Sequence, residues 1–433
     1  MPGPRGPNGP PALPSPTGPD EIRTVSDLTL PDPLAIAADS PLLDALAARS
    51  DLPLFGALQL DFAAALSRRL TTSAAVRAHP ELVALGFWLR PAHLRRLVEA
   101  TASYWSAMSA LRVPRGLALH IAPGNVDTIF VYSWLVGLLC GNRSIVRLSS
   151  RHGPQALLLQ SQLAELLADP AWAPIAERVA FVRYGHDDAV TTRLSARCDL
   201  RVVWGGDATV HAVRALPLPP HATELCFADK FSLTVLRAAH VAALDDGALA
   251  ALAKGLAGDT YTFAQRACSS PRLVLWQGGV ADTALARERL WPRVEAAVPA
   301  AEAASLAALG VDKRIAADLL AMDADVRIEP TRPALQRIWL DEPAVHAELH
   351  CGGGLFHEAR IDQLADLRPL LSRRVQTVSH AGFARDEWLA FVRGGPLAGI
   401  DRIVPVGRAL DFAPVWDGHD LWHAFTRQVD LAQ

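Results

Sequence analysis

The chain of 433 residues is long enough to bury one large hydrophobic core or, as we expect, two. Half of its residues are apolar and a fifth are charged, which is typical of a folded globular protein. A net charge of -3 gives no electrostatic basis for binding nucleic acid or an anionic membrane. The five cysteines are odd in number and lack CxxC spacing, so we expect no disulfide framework, no structural zinc site and a reducing, cytoplasmic location.

The start of the chain differs in composition from the rest. Residues 1–25 are rich in proline and glycine and lack apolar periodicity, which predicts a disordered leader. We expect neither a signal peptide nor a membrane span, because no apolar run reaches the roughly 18 residues that a span requires. Residues 52–104 have apolar side chains at helical spacing, and we expect a helical layer there that packs on a following sheet.

Short apolar strands then alternate with helices. The pattern predicts strands at 116–121, 144–148, 179–182, 200–204 and 231–236, with helices at 127–140, 154–167 and 188–196. A second set follows, with strands at 271–276 and 402–406 and a helix at 282–297. Strands that are apolar on both faces and alternate with helices indicate parallel, doubly wound sheets. We therefore predict an α/β fold of two doubly wound domains with the active site in the cleft between them.

Cys268 is the first candidate for chemistry. It lies between an alanine-rich helical segment and the strand predicted at 271–276. A cysteine at a helix-to-strand junction is placed to present a thiolate to a cleft. The alternative for a single cysteine is a small buried apolar residue, so the assignment depends on its partners.

Three turns follow predicted strands at the sheet edge where ligands bind in open α/β folds. They are Pro123-Gly124-Asn125, Arg147-Leu148-Ser149-Ser150 and Trp204-Gly205-Gly206-Asp207. The chain has no GxGxxG fingerprint. The Gly-Gly turn, which stands between a strand and a helix, would let a phosphate approach the backbone closely, although most such pairs are simple turns.

Together these motifs resemble the aldehyde dehydrogenase superfamily and, more narrowly, its acyl-CoA reductase (LuxC-type) family, which reduces acyl thioesters to aldehydes. The resemblance runs from about residue 85 to the C-terminus. Its strongest local matches are Leu138-Leu139-Cys140-Gly141-Asn142, Val203-Trp204-Gly205-Gly206-Asp207, Ala267-Cys268-Ser269-Ser270-Pro271, Val375-Gln376-Thr377-Val378 and Trp416-Asp417-Gly418.

The resemblance implies roles for two catalytic residues. Cys268 would be the nucleophile that forms a covalent acyl-enzyme. Asn125 would direct its side-chain amide at the oxyanion, with the backbone N–H of Cys268 as the second donor.

The resemblance also implies a nicotinamide cofactor. Arg147 takes the place of a lysine that holds the adenosine ribose, Ser149 would line the same pocket, and Gly205 and Gly206 would face the pyrophosphate. We expect NADPH, with NADH as the alternative, because an arginine fork binds a 2′-phosphate well and no acidic residue follows the strand. Arg151 and His152 would add positive charge to this turn. Against this, the chain has 39 arginines and 3 lysines, so compositional bias also explains Arg147.

One departure from the superfamily concerns water activation. Hydrolytic members carry a glutamate in a Glu-Leu-Gly-Gly-Lys run, whereas this chain reads Glu224-Leu225-Cys226-Phe227-Ala228-Asp229-Lys230. We interpret Glu224 as a solvated turn or cap residue and not as a base. Oxidation of an aldehyde to an acid, and a catalytically silent acyl-binding subunit, are the alternatives to thioester reduction.

Two further segments have weaker interpretations. His346, His350 and Cys351 have a metal-like composition, but three glycines follow, so we interpret the segment as a loop with surface histidines and expect no metal. The motifs around Gln376 and Asp417 match the family, and we interpret them as packing at the domain junction.

These interpretations give the expected organisation and partners. Residues 26–237 would hold the helical layer and the cofactor-binding domain, 238–400 the catalytic domain, and 401–433 a segment that packs back on the core. The expected partners are an acyl thioester substrate, an acyl-transferring or acyl carrier protein, and a further copy of the chain in a homo-oligomer. No nucleic acid is expected.

Overall fold

A computed structural model describes residues 35–108, 111–124, 126–150 and 153–431, with the side chains of residues 35 and 301 left out. The leader predicted at 1–25 lies outside the described residues, as do Asn125, Arg151 and His152.

The first half of the chain forms a six-stranded parallel sheet with helices on both faces. The strands lie in the order β1-β5-β4-β3-β6-β7. They are β1 (Ala35–Ile36), β3 (Leu117–Ile121), β4 (Arg143–Leu148), β5 (Val179–Arg183), β6 (Leu200–Trp204) and β7 (Thr223–Phe227), while β2 (Leu111–Pro114) lies outside this sheet. The helices are α1 (Leu42–Ala47), α2 (Ala57–Thr72), α3 (Ala74–Arg77), α4 (Pro80–Trp88), α5 (Pro91–Ala107), α6 (Ile129–Leu139), α7 (Pro154–Leu167), α8 (Ala173–Ala176), α9 (Asp188–Ser195) and α10 (Asp207–Arg214).

The predicted helical layer is present and packs as expected. Helix α2 buries Phe62, Leu66 and Leu70 in the same core as α6, whose residues are all buried. Because α6 is apolar on every side, it needs cover from both the sheet and the layer, and α2 supplies the outer cover.

A seven-stranded sheet forms the second half, in the order β10-β11-β12-β9-β8-β13-β14, parallel except for β10. Its strands are β8 (Phe231–Arg237), β9 (Pro271–Gln277), β10 (Val326–Ile328), β11 (Gln336–Leu340), β12 (Leu355–Ile361), β13 (Val375–Ala381) and β14 (Arg402–Pro405). Its helices are α11 (Ala238–Ala243), α12 (Asp246–Tyr261), α13 (Val280–Ala296), α14 (Ala300–Leu306), α15 (Gly310–Asp323) and α16 (Arg385–Arg393). The fold class is confirmed: two doubly wound α/β units.

The boundary between the two sheets differs from the expected one. Strand β8 pairs with β9 and β13, so it belongs to the second sheet, and the division falls between Phe227 and Phe231 and not at residue 237. The reason is that β7 and β8 are both apolar strands, which sequence alone cannot assign to one sheet or the other.

The C-terminal segment is shared between the two units. Strand β14 extends the second sheet. The chain then forms β15 (Val415–Trp416), β16 (His419–Asp420), α17 (Leu421–Ala424) and β17 (Thr426–Val429), and β17 pairs antiparallel with β2. Trp416, Trp422 and Phe425 enter the core of the first unit. Because the C-terminal segment packs back on the first unit, the turn between β15 and β16 lies close to the cleft between the two sheets.

Candidate active site

The loop between α12 and β9 presents Cys268 to a cleft between the two sheets. The cleft is also lined by Gly205 and Gly206 from the first unit and by Asp417 from the C-terminal segment. The sequence-based expectation that Cys268 and the Gly-Gly turn face one cleft therefore agrees with the structure.

The backbone before Cys268 is held in a strained shape. Ala264 and Gln265 have φ angles of 50° and 60°, in the left-handed region that non-glycine residues seldom adopt. The buried side chain of Gln265 stabilises this shape. Its Nε2 donates to the carbonyl oxygens of Pro271 (2.8 Å) and Leu355 (2.9 Å), and its Oε1 accepts from the N–H of Gly354 (2.8 Å).

A serine from β8 fixes the backbone of Cys268 itself. The hydroxyl of Ser232 donates to the Cys268 carbonyl (2.7 Å) and accepts from the N–H of Thr377 in β13 (3.1 Å). Ser232 is 1% exposed, so these bonds form away from water. Sequence reasoning missed this residue, since a serine in a strand carries no motif.

Three polar side chains act on the sulfur of Cys268: Gln376 and Asp417 from distant parts of the chain, and the nearby Arg272. The Nε2 of Gln376 donates to the sulfur at 3.5 Å. Burial and, next, the carboxylate of Asp417 raise the pKa of the thiol, to about 12 in all, against Gln376, Arg272 and the residue's own backbone N–H, which lower it. Gln376 and Asp417 are buried, as the packing interpretation expects, and in addition they act on the thiol, which that interpretation does not include.

Arg272 is the cation closest to this chemistry. It lines the cleft, and its Nε is buried with no hydrogen-bond partner among the described residues. Burial lowers its pKa, while Cys268 and Asp229 favour its charged form. A guanidinium with an unused donor can stabilise an anion that forms at Cys268.

The Gly-Gly turn lies beside a carboxylate. The N–H of Asp207, the first residue of α10, donates to Asp229 (2.9 Å), and the N–H of Asp229 donates to Asp207 (3.1 Å). A Cβ on Gly206 would stand 3.1 Å from Oδ2 of Asp229, and one on Gly205 would stand 3.0 Å from the side chain of Thr209. A side chain at either position would therefore be crowded, and both glycines expose backbone to the cleft.

Arg147 and Ser149 lie at the carboxyl end of β4, away from Cys268. The Arg147 guanidinium donates to the carbonyl of Tyr184 (3.3 Å) and stands 5.3 Å from the Tyr184 ring centroid. It makes no ion pair with a carboxylate of the described residues, and burial lowers its pKa. Ser149 lines a small cavity that shares Pro123 and Val126 with the main cleft.

Glu224 is not a turn or cap residue, which corrects that interpretation. It lies within β7 and pairs with the buried Arg201 (2.6 Å) and with Arg214 (3.3 Å). It does not line the cleft. The ion pair holds the carboxylate where it cannot activate water at Cys268.

The histidine segment is also different from expectation. His350 accepts from the N–H of Gly352 (3.1 Å) and donates to the carbonyl of Leu355 (2.7 Å), and His357 is fully buried in β12. Burial holds the pKa of His350 well below its usual value. His346 and His350 are both partly buried, so they are not the expected surface histidines, and His350 uses both ring nitrogens within its own loop. Across the described residues, no group of three or more potential ligands is arranged to hold a metal ion.

A second cavity adjoins the cleft. Phe263, Leu410 and Phe412 line both. The second cavity has a volume of about 790 Å³, within the range of about 300–1,000 Å³ found for small-molecule sites. Phe87 and Leu97 of the helical layer form part of its far wall.

Known structures define the class of this fold. A NAD-dependent benzaldehyde dehydrogenase from Corynebacterium glutamicum aligns over 90% of this chain and 85% of its own, with a TM-score of 0.59 and 15% identity. Lactaldehyde dehydrogenase from Escherichia coli aligns over 90% of this chain and 87% of its own, with a TM-score of 0.58 and 12% identity. The fold is that of the aldehyde dehydrogenases.

Sequence comparison narrows the class. Residues 90–297 match the acyl-CoA reductase (LuxC) family. Long-chain acyl-protein thioester reductases from Aliivibrio fischeri and Vibrio harveyi are 31% and 33% identical over 168 residues, which are 38% of this chain and 33% of each relative. Over residues 90–297 the chain is therefore similar to the LuxC-type acyl-CoA reductases, and its fold is aldehyde-dehydrogenase-like. The aligned segment spans about a third of the length of these relatives.

Proposed function

We propose that the protein reduces an acyl thioester to an aldehyde with NADPH, through a covalent thioester on Cys268. The observation that carries this proposal is the shared cleft: the Cys268 thiol, with the Gln376 amide 3.5 Å from its sulfur, opens into the same space as Gly205 and Gly206. The names of the relatives, long-chain acyl-protein thioester reductases, support the substrate class.

The first step is acyl transfer to the enzyme. The Cys268 thiolate attacks the thioester carbonyl, a carbon–sulfur bond forms, and the carbonyl electrons move to oxygen. The proposed donors for this oxyanion are the Asn125 amide and the Cys268 backbone N–H. The oxyanion then collapses, and the carrier thiolate leaves with the electrons of its carbon–sulfur bond.

The residues at the sheet edge fit a nicotinamide dinucleotide. Gly205 and Gly206 line the cleft without side chains, so a pyrophosphate would be able to approach their backbone, and Arg147 holds a buried positive charge that a phosphate would neutralise. When bound, the cofactor supplies the hydride that reduces the enzyme thioester. Cys268 then leaves as a thiolate from the resulting thiohemiacetal, which releases the aldehyde.

The tethered Glu224 favours reduction over hydrolysis. A hydrolytic enzyme needs a base that activates water next to the acyl-enzyme, and here the carboxylate is paired with Arg201 outside the cleft. An acyl-enzyme without that base survives until it is reduced. The alternative function, oxidation of aldehydes to acids, requires such a base.

The second cavity is the proposed site of the acyl chain. It adjoins the cleft at Phe263 and Phe412, so a chain attached to Cys268 would be able to enter along the apolar part of its wall. The rest of the wall is lined by Asp259, Arg402, Arg408 and Asp411. An acyl-transferring protein or an acyl carrier protein in the cytoplasm is the proposed donor, and a homo-oligomer is the proposed assembly. Within the described residues, no helix combines the length and the apolar character needed to cross a membrane.

A direct assay tests this function. Purified protein is given short and long acyl-CoA thioesters with NADPH, while cofactor oxidation and trapped aldehyde are measured together. We expect stoichiometric aldehyde and none from Cys268→Ala. Aldehyde oxidation to acid without added thiol would instead establish the dehydrogenase alternative, and no turnover of either kind would indicate a silent subunit.

A further inference from the structure

The amide of Gln376 joins the candidate nucleophile to a buried carboxyl group. Gln376 is 3% exposed, and its Nε2 donates both to the sulfur of Cys268 and to Oδ1 of Asp417. An amide NH₂ has two hydrogens and no lone pair to offer, so it can serve these two partners at once. The geometry makes Gln376 a neutral donor that faces the sulfur.

Asp417 is held in place by its turn. It is 7% exposed and has a φ of 50°, a left-handed conformation between β15 and β16. Asp417 and Gly418, which has a φ of 76°, are the two central residues of this hairpin turn, and Asp-Gly is a favoured pair where both central residues are left-handed. The turn thereby holds the Asp417 carboxylate against the Gln376 amide.

Few other charges face this pair. Lys230 forms an ion pair with Asp401 (3.0 Å), Arg373 stands 3.9 Å from the other oxygen of Asp401, and both Lys230 and Asp401 act on Asp417. Arg272 is the cation that acts on Cys268. The Lys230 charge is therefore shared between two carboxylates.

We propose that Gln376 and Asp417 control the ionisation of Cys268 in opposite directions. Gln376 stabilises the thiolate by hydrogen bonding, while the Asp417 carboxylate orients that amide and opposes the thiolate by charge repulsion. This inference rests on the proposed function only in treating Cys268 as the reactive residue.

The pKa values agree with this geometry. Burial raises the pKa of Asp417 to about 6, and the Gln376 hydrogen bond and Lys230 moderate that rise. The group is therefore mostly ionised at neutral pH. The Cys268 pKa is raised first by burial and next by Asp417, and Gln376 is the first group that lowers it.

Alkylation by iodoacetamide tests the proposal without substrate or cofactor. Well below the thiol pKa, each unit of pKa changes the thiolate fraction tenfold. Asp417→Asn keeps an accepting oxygen but removes the charge, so we expect Cys268 to react about tenfold faster at a fixed, mildly alkaline pH. Gln376→Met removes the donor, and we expect about tenfold slower reaction.

Peptide mass mapping measures alkylation at each cysteine separately, so another cysteine of the same protein can serve as the control. The half-exposed Cys351 lies outside the cleft, so its rate should not change in either variant. Gln376→Glu is the second variant at that position, and its carboxylate against the sulfur should slow Cys268 still more. Shifts of the same sign in Asp417→Asn and Gln376→Met, or rates within twofold of wild type, would overturn the inference. Because the assay needs no acyl thioester, that failure would leave the proposed reductase function intact.

Discussion

At Cys268, three chemically different side chains act on one sulfur atom: the neutral donor Gln376, the cation Arg272 and the anion Asp417. Two of them favour the thiolate and one opposes it. The balance of these contacts, in addition to the cysteine itself, determines how much nucleophile exists at neutral pH.

Arg147 provides a test of cofactor choice. Its buried guanidinium has a carbonyl and an aromatic ring as partners and no carboxylate among the described residues, so a 2′-phosphate would supply the missing anion. We expect Arg147→Ala to raise the Michaelis constant for NADPH at least tenfold, since a hydrogen bond to a charged group contributes about 1.5–3 kcal/mol. The constant for NADH should change much less.

The measurement is the reductase rate with each cofactor, in wild type and variant. Equal efficiency with NADH in the wild type would mean that Arg147 contacts the ribose alone, and the preference for NADPH would then be abandoned.

The residues of the site differ in how visible they are in the sequence. Cys268 and the Gly205-Gly206 turn could be predicted because a short local pattern, strand then turn then helix, marks each of them. Ser232, Gln376 and Asp417 could not, because their roles depend on contacts between strands and turns far apart in the chain. Local sequence carries no information on which distant turn will face a given sulfur.

At the scale of elements, the loop between α12 and β9 depends on one glutamine. We expect Gln265→Ala to lower the free energy of unfolding by about 3 kcal/mol, because it leaves buried backbone groups of Pro271, Leu355 and Gly354 without their partner. Thermal unfolding measures the loss, and acyl transfer should slow as the loop relaxes.

Gln277→Ala is the matched control for this change. Gln277 lies at the other end of β9, where its Nε2 donates to the Asp362 carbonyl in contact with solvent and its Oε1 accepts from Arg237 (3.2 Å), so no fully buried backbone group depends on it. We expect a change of at most about 0.5 kcal/mol. Equal destabilisation by the two substitutions would contradict the role given to Gln265.

Helix α5 offers a test of the acyl-chain site. Leu97→Trp would fill part of the second cavity, so we expect the kcat/KM for a long-chain acyl thioester to fall about tenfold, with little change for a short one. Tyr104→Trp, at an exposed position of the same helix, is the control. A uniform loss for short and long chains would place the acyl chain elsewhere.

The elements themselves were largely predictable. Strands that are apolar on both faces indicate parallel sheets covered by helices, and the structure has two of these. The assignment of β8 to a sheet was not predictable, since partner choice is set by the crossover that follows and not by the strand's own composition. The same limit applies to β17, which pairs with β2 across more than three hundred residues.

At the scale of the whole molecule, buried carboxyl groups make stability depend on pH. Asp259 is 2% exposed, and burial raises its pKa to about 7 from 3.8, against hydrogen bonds from Gly407 and Ala409. Because burial disfavours the charged carboxylate, the folded state is more stable when Asp259 is protonated. This contribution to the free energy of unfolding is complete below about pH 4 and is lost as the pH rises to about 7. The difference amounts to about 4 kcal/mol.

Urea unfolding between these pH values measures the effect. We expect Asp259→Asn to reduce the fall in the free energy of unfolding between about pH 4 and pH 7. Part of the fall should remain, since Asp417, with a pKa of about 6, contributes in the same direction. Asp246→Asn, at the exposed start of the same helix, should leave the dependence of the free energy of unfolding on pH as it is in the wild type. An unaltered dependence on pH in Asp259→Asn would contradict the assignment.

The central claim is that Cys268 carries the acyl group, and intact mass spectrometry tests it most directly. The protein is incubated with a long-chain acyl thioester in the absence of cofactor, then weighed before and after addition of NADPH. We predict a mass increase of one acyl group that maps to Cys268, is absent in Cys268→Ala, and disappears with release of aldehyde once NADPH is added. No adduct, or an adduct that maps to Cys140, Cys198, Cys226 or Cys351, would contradict the account.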